Sequence, residues 1–502
     1  MLDGLLMGLD NLFEPMHLLI LFAATLIGFL GGALPGISGT MLVIILLPIS
    51  YGLDSISALI LLTTIYASSV FSGMISAILF RTPGTPEAVA TVLDGYPMAQ
   101  KGKAGQALGI GIFSSVTGGI VGALFLIFLT PVLAAFALRF SSPEYFALAV
   151  LGLTVVVSLS GGDLIKGFIG VAFGLFIATF GMDPLTGTER FTFGTLELIG
   201  GIDLIPVLIG LFAISEILRK SKEDHTIKQK VVKVKTKIFD SKIITQIRGT
   251  IARSSLLGVI IGILPGVGAT TAAMLSYSEA TRWSKRPKEF GTGIPEGIAA
   301  PESANNAAAM GAMVPLLSLG IPGSATTAVI LGAFVMHGLQ PGPMLMVKSP
   351  DVVYTIFISL FMVNILILIF AKPFIRVFSN IIKVPYYALG PAIVVFCIIG
   401  TYAVRNSVFD IWIMLLFGVI GYYLDKYKFP LAAIILGVVL GPIAEVEYRR
   451  GLLMANGEFS IFFTRPISAT LLALAVLALV IPLWNGYRKT RANKRMNTNE
   501  NH

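Results

Sequence analysis

Charged residues are scarce in this sequence. Asp, Glu, Lys and Arg make up 13% of its 502 residues and hydrophobic residues make up 55%, whereas a soluble domain carries roughly 25% charged residues. This shortage excludes an ordinary cytosolic enzyme, a nucleic-acid-binding protein and a secreted disulfide scaffold. Apolar runs of about 20 residues, long enough to cross a bilayer, recur from end to end. The sequence therefore predicts an all-α polytopic membrane protein.

Cysteine and histidine are also rare. The single cysteine, Cys397, can form no disulfide within the chain. The four histidines, His17, His225, His337 and His502, are scattered and do not show the spacing of a metal site. Neither a HExxH run nor a Walker A run occurs. We therefore expect no cofactor and no enzymatic activity, with a membrane-embedded enzyme or a channel as the alternative.

The basic residues predict the orientation in the membrane. The segment 219–253 holds eleven Lys or Arg and three acids, and the tail 488–502 holds five bases and one acid. Basic loops stay on the cytoplasmic side, so we expect this linker and this tail to be cytoplasmic. The first fifteen residues carry three acids and no base, which predicts a periplasmic N-terminus.

With these anchors the chain reads as about 11–13 transmembrane helices. Interrupted segments are predicted at 17–49 and 256–277. Crossings are predicted at 56–80, 105–130, 144–160, 164–181, 196–218, 298–319, 351–371, 386–404, 408–424, 430–443 and 466–487. We expect Glu445, Glu447, Arg449, Arg450 and Arg465 to lie in an outward-facing loop, paired with each other or with a partner subunit.

Three matching segments indicate an internal duplication. GALPGISGT (32–40) matches GILPGVGAT (262–270) at an offset of 230, PGT (83–85) matches PGS (322–324) at 239, and a weaker pair at 143 and 385 has an offset of 242. Matches in the same order indicate one repeated unit. The charge pattern gives the two copies opposite orientation, which is typical of secondary transporters. We predict transmembrane repeats at 1–218 and 254–487, joined by the linker 219–253.

The Pro-Gly elements are the candidate binding site. Proline and glycine break a helix inside an apolar span, and the new helix that follows presents free N–H groups suited to an anion. Freed carbonyls and hydroxyls can coordinate sodium. Candidate substrate-binding residues are Pro35, Gly36, Ser38, Gly39, Thr40, Pro265, Gly266, Gly268, Thr270 and Thr271. Candidate residues for substrate or coupling ion are Pro83, Gly84, Thr85, Pro322, Gly323, Ser324, Thr326, Glu302, Asn305 and Asn306. The alternative is that these elements are ordinary loops between short helices.

Polar residues of one apolar segment belong to the second candidate set for a separate reason. Glu302, Asn305 and Asn306 are spaced i, i+3 and i+4 and therefore share one face of a helix. Such groups are costly inside a membrane unless they have a function or a partner. We expect Glu302 to couple transport to a cation, with Glu296 as a less buried alternative. The competing interpretation is a cytoplasmic loop and helix cap.

Over nearly its whole length, from about 4 to 491, the chain resembles the large membrane subunit of the tripartite tricarboxylate transporters, the citrate-type uptake systems of bacteria. The resemblance is carried by GALPGISGT (32–40), RTPGTPEAVATVLDGYPMAQKGKAGQALG (81–109), GILPGVGATTAA (262–273), GIPEGIAAPESANNAAAMGAMVPLLSLGIPGSATTAVILGA (293–333), HGLQPGPML (337–345), LGPIAEVEYRR (440–450) and TRPIS (464–468).

The resemblance implies a permease in the bacterial inner membrane. Its partners would be a small membrane subunit and a periplasmic solute-binding protein that hands over carboxylates. Uptake would be driven by a sodium or proton gradient, without an ATPase. Combined with the repeat, this implies alternating access with an elevator-like motion.

Overall fold

Helices account for most of the chain that the computed structural model describes, namely residues 1–35, 37–159, 163–221, 241–381 and 386–499. The first half contains α1 (Leu2–Leu12), α2 (Pro15–Ala33), α3 (Gly39–Ser50), α4 (Ser55–Phe80), α5 (Val89–Met98), α6 (Ala104–Ala137), α7 (Ser142–Leu159), α8 (Leu164–Ile177), α9 (Leu204–Leu208) and α10 (Ser215–Lys220). The second half contains α11 (Ser241–Ile263), α12 (Gly268–Trp283), α13 (Glu296–Gly311), α14 (Met313–Leu319), α15 (Ala325–Met336), α16 (Pro343–Lys348), α17 (Pro350–Ile381), α18 (Tyr386–Arg405), α19 (Val408–Lys426), α20 (Leu431–Met454), α21 (Ile461–Thr464) and α22 (Pro466–Asn499). Short 3₁₀ or π-helical turns cover Pro86–Ala88, Ala99–Lys103, Leu196–Leu198, Ile209–Ile214 and Pro287–Glu289, and strands β1 (Gly181–Met182) and β2 (Glu189–Arg190) pair antiparallel.

Several of these helices can cross a membrane. Within the described ranges, six helical segments are long and apolar enough: Pro15–Ala33, Ser55–Phe80, Pro86–Ala137, Pro350–Ile375, Val408–Lys426 and Leu431–Met454. Shorter apolar helices, including α3, α8 and α15, accompany them. The predicted all-α, multi-pass membrane fold is confirmed. The number of crossings and their orientation stay predictions.

The helices group into two compact units. One consists of Met1–Leu138 and Asp203–Tyr423, and the other of Arg139–Ile202 and Leu424–His502. Both units draw on both halves of the sequence, so neither coincides with a predicted repeat. The repeats, with their boundaries at 1–218 and 254–487, stay a prediction.

The first unit is centred on two buried helices. Every residue of α4 from Ser57 to Phe80 is buried, as is every residue of α13 from Gly297 to Gly311. Helix α4 packs against α2, α3, α6 and α17, and α13 packs against α6, α11 and α12. Many of the polar side chains of these two helices have hydrogen-bond partners inside the protein, so both helices can be buried on all sides.

Glycines bring two helices very close to α13. A Cβ added at Gly262 of α11 would collide with the backbone of Ala308, and one added at Gly118 of α6 would collide with the backbone of Ser303. Small residues allow such close approach between membrane helices. The backbone of α13 is therefore in near contact with the backbones of both α11 and α6.

In the second unit, α20 packs against α7 and α8, and α22 packs against α7. The expectation of a charged loop after 443 is wrong, because α20 continues to Met454 and carries most of these charges. The charges are paired within the unit. Arg449 contacts Asp183 at 2.5 Å and Glu445 at 2.7 Å, and Arg465 contacts Glu144 at 2.6 Å.

One other predicted crossing needs correction. The crossing predicted at 196–218 begins later, because 196–198 is a single 3₁₀ turn and the continuous helical run starts at Leu204. Helix α15 was not predicted as a crossing. It has twelve residues, fewer than the roughly 20 that a full crossing requires.

Candidate functional site

The first Leu-Pro-Gly element separates α2 from α3. Pro35 lies in the turn between the two helices, and Gly36 lies outside the described residues. Ser38 caps α3, which begins at Gly39, because its hydroxyl accepts a hydrogen bond from the Met41 N–H at 3.1 Å. A new helix therefore starts directly after the break.

The second Leu-Pro-Gly element separates α11 from α12 in the same way. Pro265 lies in the turn, and Gly266 and Gly268 both have φ of +74°, a conformation that strongly favours glycine. The Thr271 hydroxyl donates to the backbone oxygen of Val267, the residue just before the helix, at 2.9 Å. Thr270, one residue earlier, is partly exposed.

The other two Pro-Gly elements also lie between helices. Pro83 and Gly84 connect α4 to the 3₁₀ turn before α5, and Pro322 and Gly323 connect α14 to α15. Ser324 caps α15 with a reciprocal pair of hydrogen bonds, 3.2 Å and 2.8 Å long, to the third residue of that helix. This capping box fixes the point at which α15 begins.

Helix contacts in the two halves correspond residue by residue. A Cβ at Gly32 would collide with the backbone of Ser69, and a Cβ at Gly262 would collide with the backbone of Ala308. The two glycines are 230 positions apart and their partners are 239 apart, the same offsets that relate the sequence motifs. Helix α2 therefore meets α4 as α11 meets α13.

The glycines of the second motif pair follow the same rule. A Cβ at Gly84 would collide with the carbonyl oxygen of Gly32, and a Cβ at Gly323 would lie 2.7 Å from the carbonyl oxygen of Gly262. Each Pro-Gly connection is thus pressed against the last helical turn before a Leu-Pro-Gly break.

Side chains join elements from different halves on one side of the site. The hydroxyls of Thr40 and Thr326 are 2.7 Å apart, so the start of α3 is hydrogen-bonded to the start of α15. The hydroxyl of Tyr66, from α4, lies 3.5 Å from that of Ser324. The first Leu-Pro-Gly element is therefore linked to the Pro-Gly element of the second half.

The other two elements are the second Leu-Pro-Gly element and the Pro-Gly element of the first half, and different groups join them. Asn305 of α13 donates its Nδ2 hydrogen to the backbone oxygen of Glu87 at 3.2 Å. Helix α12, which follows Pro265, packs against the 3₁₀ turn that holds Glu87. Asn305 and Tyr66 are again 239 positions apart. The structure thus brings the four predicted elements into one connected set of contacts.

The polar face of α13 is fully buried. Glu302, Asn305 and Asn306 are at most 1% exposed, which contradicts the alternative of a loop and helix cap. The Glu302 carboxylate accepts hydrogen bonds from Thr91 at 2.5 Å and from Ser115 at 2.9 Å. Asn306 donates to the Asn305 side chain at 2.7 Å.

Glu296, the predicted alternative to Glu302, pairs with Arg286 at 3.1 Å and does not join the Glu302 group.

A further buried carboxylate lies beside α13. Asp94, which was not predicted, is fully buried and accepts hydrogen bonds from the Tyr277 hydroxyl at 2.8 Å and from the Gly293 N–H at 2.7 Å. Its signal in the sequence is a single carboxylate within the otherwise uncharged helix α5.

Comparison with known proteins identifies the family. The model of the tripartite tricarboxylate transporter TctA family matches residues 18–436, a range that includes all four Pro-Gly elements. The chain belongs to the TctA family. TctA proteins are membrane transporter subunits, and this chain is therefore one as well.

Two relatives of this TctA chain come from Agrobacterium vitis. The "Uncharacterized 52.8 kDa protein in TAR-I ttuC' 3'region" is 39% identical over 491 residues, which cover 98% of each chain. The "Uncharacterized protein in TAR-II ttuC' 3'region" is 40% identical over 234 residues, which cover 47% of this chain and 97% of that protein. No solved structure matched the chain.

Proposed function

We propose that this TctA chain is the permease subunit of a binding-protein-dependent secondary transporter that takes up di- and tricarboxylates. The observation that carries the proposal is the convergence of four broken-helix elements in one connected set of contacts. Broken backbone at membrane depth is tolerated where it is buried in protein or lines a cavity. In secondary transporters such breaks form the binding sites for substrate and coupling ion.

The substrate carboxylates bind at the starts of α3 and α12. A di- or trianion needs compensating positive charge, and the apolar halves carry few Lys or Arg away from their loop ends. Helix N-termini supply free N–H groups and about half a positive charge. The hydroxyls of Ser38, Thr40, Thr270 and Thr271 lie in the first turns of these two helices or cap them, so they add polar groups at the same points.

The coupling ion, sodium or a proton, binds beside the substrate. Its site comprises the elements at 83–85 and 322–326 together with Glu302, Asn305 and Asn306. The contacts of Asn305 with the first element support this location, since they place α13 directly beside the turn after Pro83.

Transport follows alternating access with an elevator-like motion of inverted repeats. The matching contacts of Gly32 and Gly262, and those of Gly84 and Gly323, support the duplication, because unrelated halves would not reproduce them at the sequence offsets. Inverted repeats are typical of this class of transporter.

The partners are a small membrane subunit and a periplasmic solute-binding protein. The family supports this, since its name describes a three-part system. The chain resides in the bacterial inner membrane, with the linker 219–253 and the tail 488–502 in the cytoplasm and the N-terminus in the periplasm. The excess of bases in the linker and the tail supports this orientation.

Uptake by the reconstituted three-component system tests the function. Proteoliposomes are given a panel of radiolabelled di- and tricarboxylates, with a sodium or proton gradient, and with sodium replaced by choline. Concentrative, gradient-dependent uptake of a carboxylate is expected. Passive equilibration would indicate a channel, and the absence of uptake for every carboxylate would refute the substrate class.

A matched pair of variants on α12 tests the substrate site. Thr270→Val removes a hydroxyl from the start of the helix and should raise the half-saturation for substrate or coupling ion about 10- to 100-fold, because one hydrogen bond to a charged ligand is lost. Thr281→Val is the control, since the Thr281 hydroxyl donates a hydrogen bond to a backbone oxygen near the other end of the same helix. Equal half-saturation in the two variants would place the substrate elsewhere.

A further inference from the structure

The two Pro-Gly elements outside the Leu-Pro-Gly turns differ in how their polar side chains are satisfied. In the second half, Ser324 accepts a hydrogen bond from the Thr327 N–H at 3.2 Å and lies 3.5 Å from the Tyr66 hydroxyl. Thr326 shares a hydrogen bond of 2.7 Å with Thr40. Both side chains that follow the glycine and face the site therefore have protein partners.

The corresponding positions in the first half, 239 residues earlier, are Thr85 and Glu87. Thr85 is 1% exposed. Within the described residues, neither its hydroxyl oxygen nor the buried Oε2 of Glu87 forms a well-aligned hydrogen bond, and the two side chains lie beside each other. A Cβ at Gly73 would collide with the Thr85 hydroxyl, so this hydroxyl points inward against α4. Unpartnered polar atoms in such a place are costly unless a ligand satisfies them.

Neighbouring side chains do not neutralise Glu87. Asn305 donates to the backbone oxygen of Glu87 and not to its carboxylate. Across the described part of the chain, no Lys or Arg forms an ion pair with Glu87. Glu302, a fully buried carboxylate of α13, has both oxygens occupied by the hydroxyls of Thr91 and Ser115. Glu87, by contrast, keeps one buried oxygen without a well-aligned hydrogen bond to any described residue.

We propose that Glu87 and Thr85 bind a sodium ion, and that this ion is the coupling ion of the transport function proposed above, on which this inference rests. A carboxylate and a hydroxyl two residues apart are hard oxygen ligands. Carbonyl groups freed by the helix break at Pro83 can complete the shell, as at the sodium sites of other broken helices. This assignment replaces Glu302 as the carboxylate of the coupling-ion site described above. Glu302 then has a structural role, because its carboxylate joins α13 to α5 and α6.

The difference between the halves favours the first half for the cation. The first half offers a carboxylate, which attracts a cation and repels a carboxylate substrate. The second half has hydroxyls at the same positions, and these are hydrogen-bonded to protein groups. The substrate carboxylates then bind at the starts of α3 and α12, as proposed above.

Sodium binding to the purified full-length chain tests the proposal without substrate or partner subunits. The thermal midpoint is measured against NaCl, with choline chloride keeping the ionic strength constant, and the affinity is measured with radioactive sodium. Saturable stabilisation by sodium is expected, because a ligand that binds the folded state raises the midpoint. Glu87→Gln and Thr85→Val should each raise the sodium Kd about 10- to 100-fold.

Glu279→Gln is the matched control. This carboxylate on α12 is paired with Arg253 at 2.9 Å, so its removal should change the sodium Kd by less than about twofold. Sodium and choline giving the same midpoint, or stabilisation by acid in place of sodium, would overturn the proposal. Loss of sodium binding in Glu302→Gln with full binding in Glu87→Gln would do the same.

Two further readouts keep the outcome decisive. If Glu87→Gln does not fold, Thr85→Val decides, because valine matches threonine in shape and lacks only the hydroxyl. Sodium binding without carboxylate uptake would refute the proposed function and leave the sodium site standing. Gradient-driven uptake with no sodium binding at Glu87 would refute the sodium site alone.

Discussion

Gly262→Ala should destabilise the chain even though alanine is the better helix former. A Cβ at this position would lie 2.8 Å from the Cα and 3.0 Å from the carbonyl carbon of Ala308, and closer still to its carbonyl oxygen. These are backbone atoms, which cannot rotate out of the way. Helices α11 and α13 would have to separate.

The magnitude follows from a comparison within one helix. Forcing an extra methyl group into a packed interface costs about 1–3 kcal/mol. Gly249, an exposed residue of the same helix, has no atom within 4 Å of an added Cβ. Gly249→Ala should therefore stabilise the helix by about 0.5–1 kcal/mol. We expect the two variants to differ by roughly 1.5–4 kcal/mol.

Thermal unfolding of the purified variants in one detergent measures this difference. Gly262→Ala should unfold below the wild type and Gly249→Ala at or above it. Gly32→Ala should behave like Gly262→Ala, because Gly32 has the same relation to Ser69. A Gly262→Ala midpoint equal to that of Gly249→Ala would refute the close approach of α11 and α13.

Three other predictions concern the site and the second unit. Thr40→Val removes the hydrogen bond to Thr326 and should raise the carboxylate half-saturation roughly 2- to 10-fold in uptake assays. Adding Thr326→Val to it should raise the half-saturation no further, because the same hydrogen bond is already gone. Gly266→Val should abolish uptake at normal membrane levels, since a β-branched residue is strongly disfavoured at a φ of +74°, and persistent uptake would contradict the observed turn. Hydrogen bonds from Arg449 and from two backbone N–H groups hold the pKa of Asp183 well below its usual range, so the stability that this carboxylate contributes is complete above about pH 4 and is lost as the pH falls below that. Acid-induced unfolding should therefore begin at a higher pH in Arg449→Ala than in the wild type, and coincident curves would refute this.

The helix breaks were predictable from the sequence because their cause is local. Pro35 and Pro265 each remove a backbone donor within an apolar span, and the glycines beside them permit a turn. The same local logic placed Glu302 and Asn305 on one helical face. A helix beginning after Gly323 was predicted by the same reasoning, but α15 was not counted as a crossing because its twelve residues fall short of one.

The partners of the buried polar groups were not predictable from one sequence. Glu302 is bound by Thr91 and Ser115, which lie 211 and 187 positions away. Spacing along a helix indicates which face a residue occupies, but it does not indicate which other helix packs against that face. Glu87 went unnoticed for the same reason, because its lack of a partner appears only when the surrounding helices are in place.

The near contact of α13 with α6 and α11 limits how this protein can move. Interfaces in which glycine meets backbone leave no side chains to re-pack, so the helices can neither rotate nor slide past one another without steric collision. Glu302 and Asn305 belong to α13, so we expect them to change position only if α6, α11 and α13 move together as a rigid body. Conformational change in this unit must then be absorbed by the connections between helices, and rotamer changes along α13 cannot drive it.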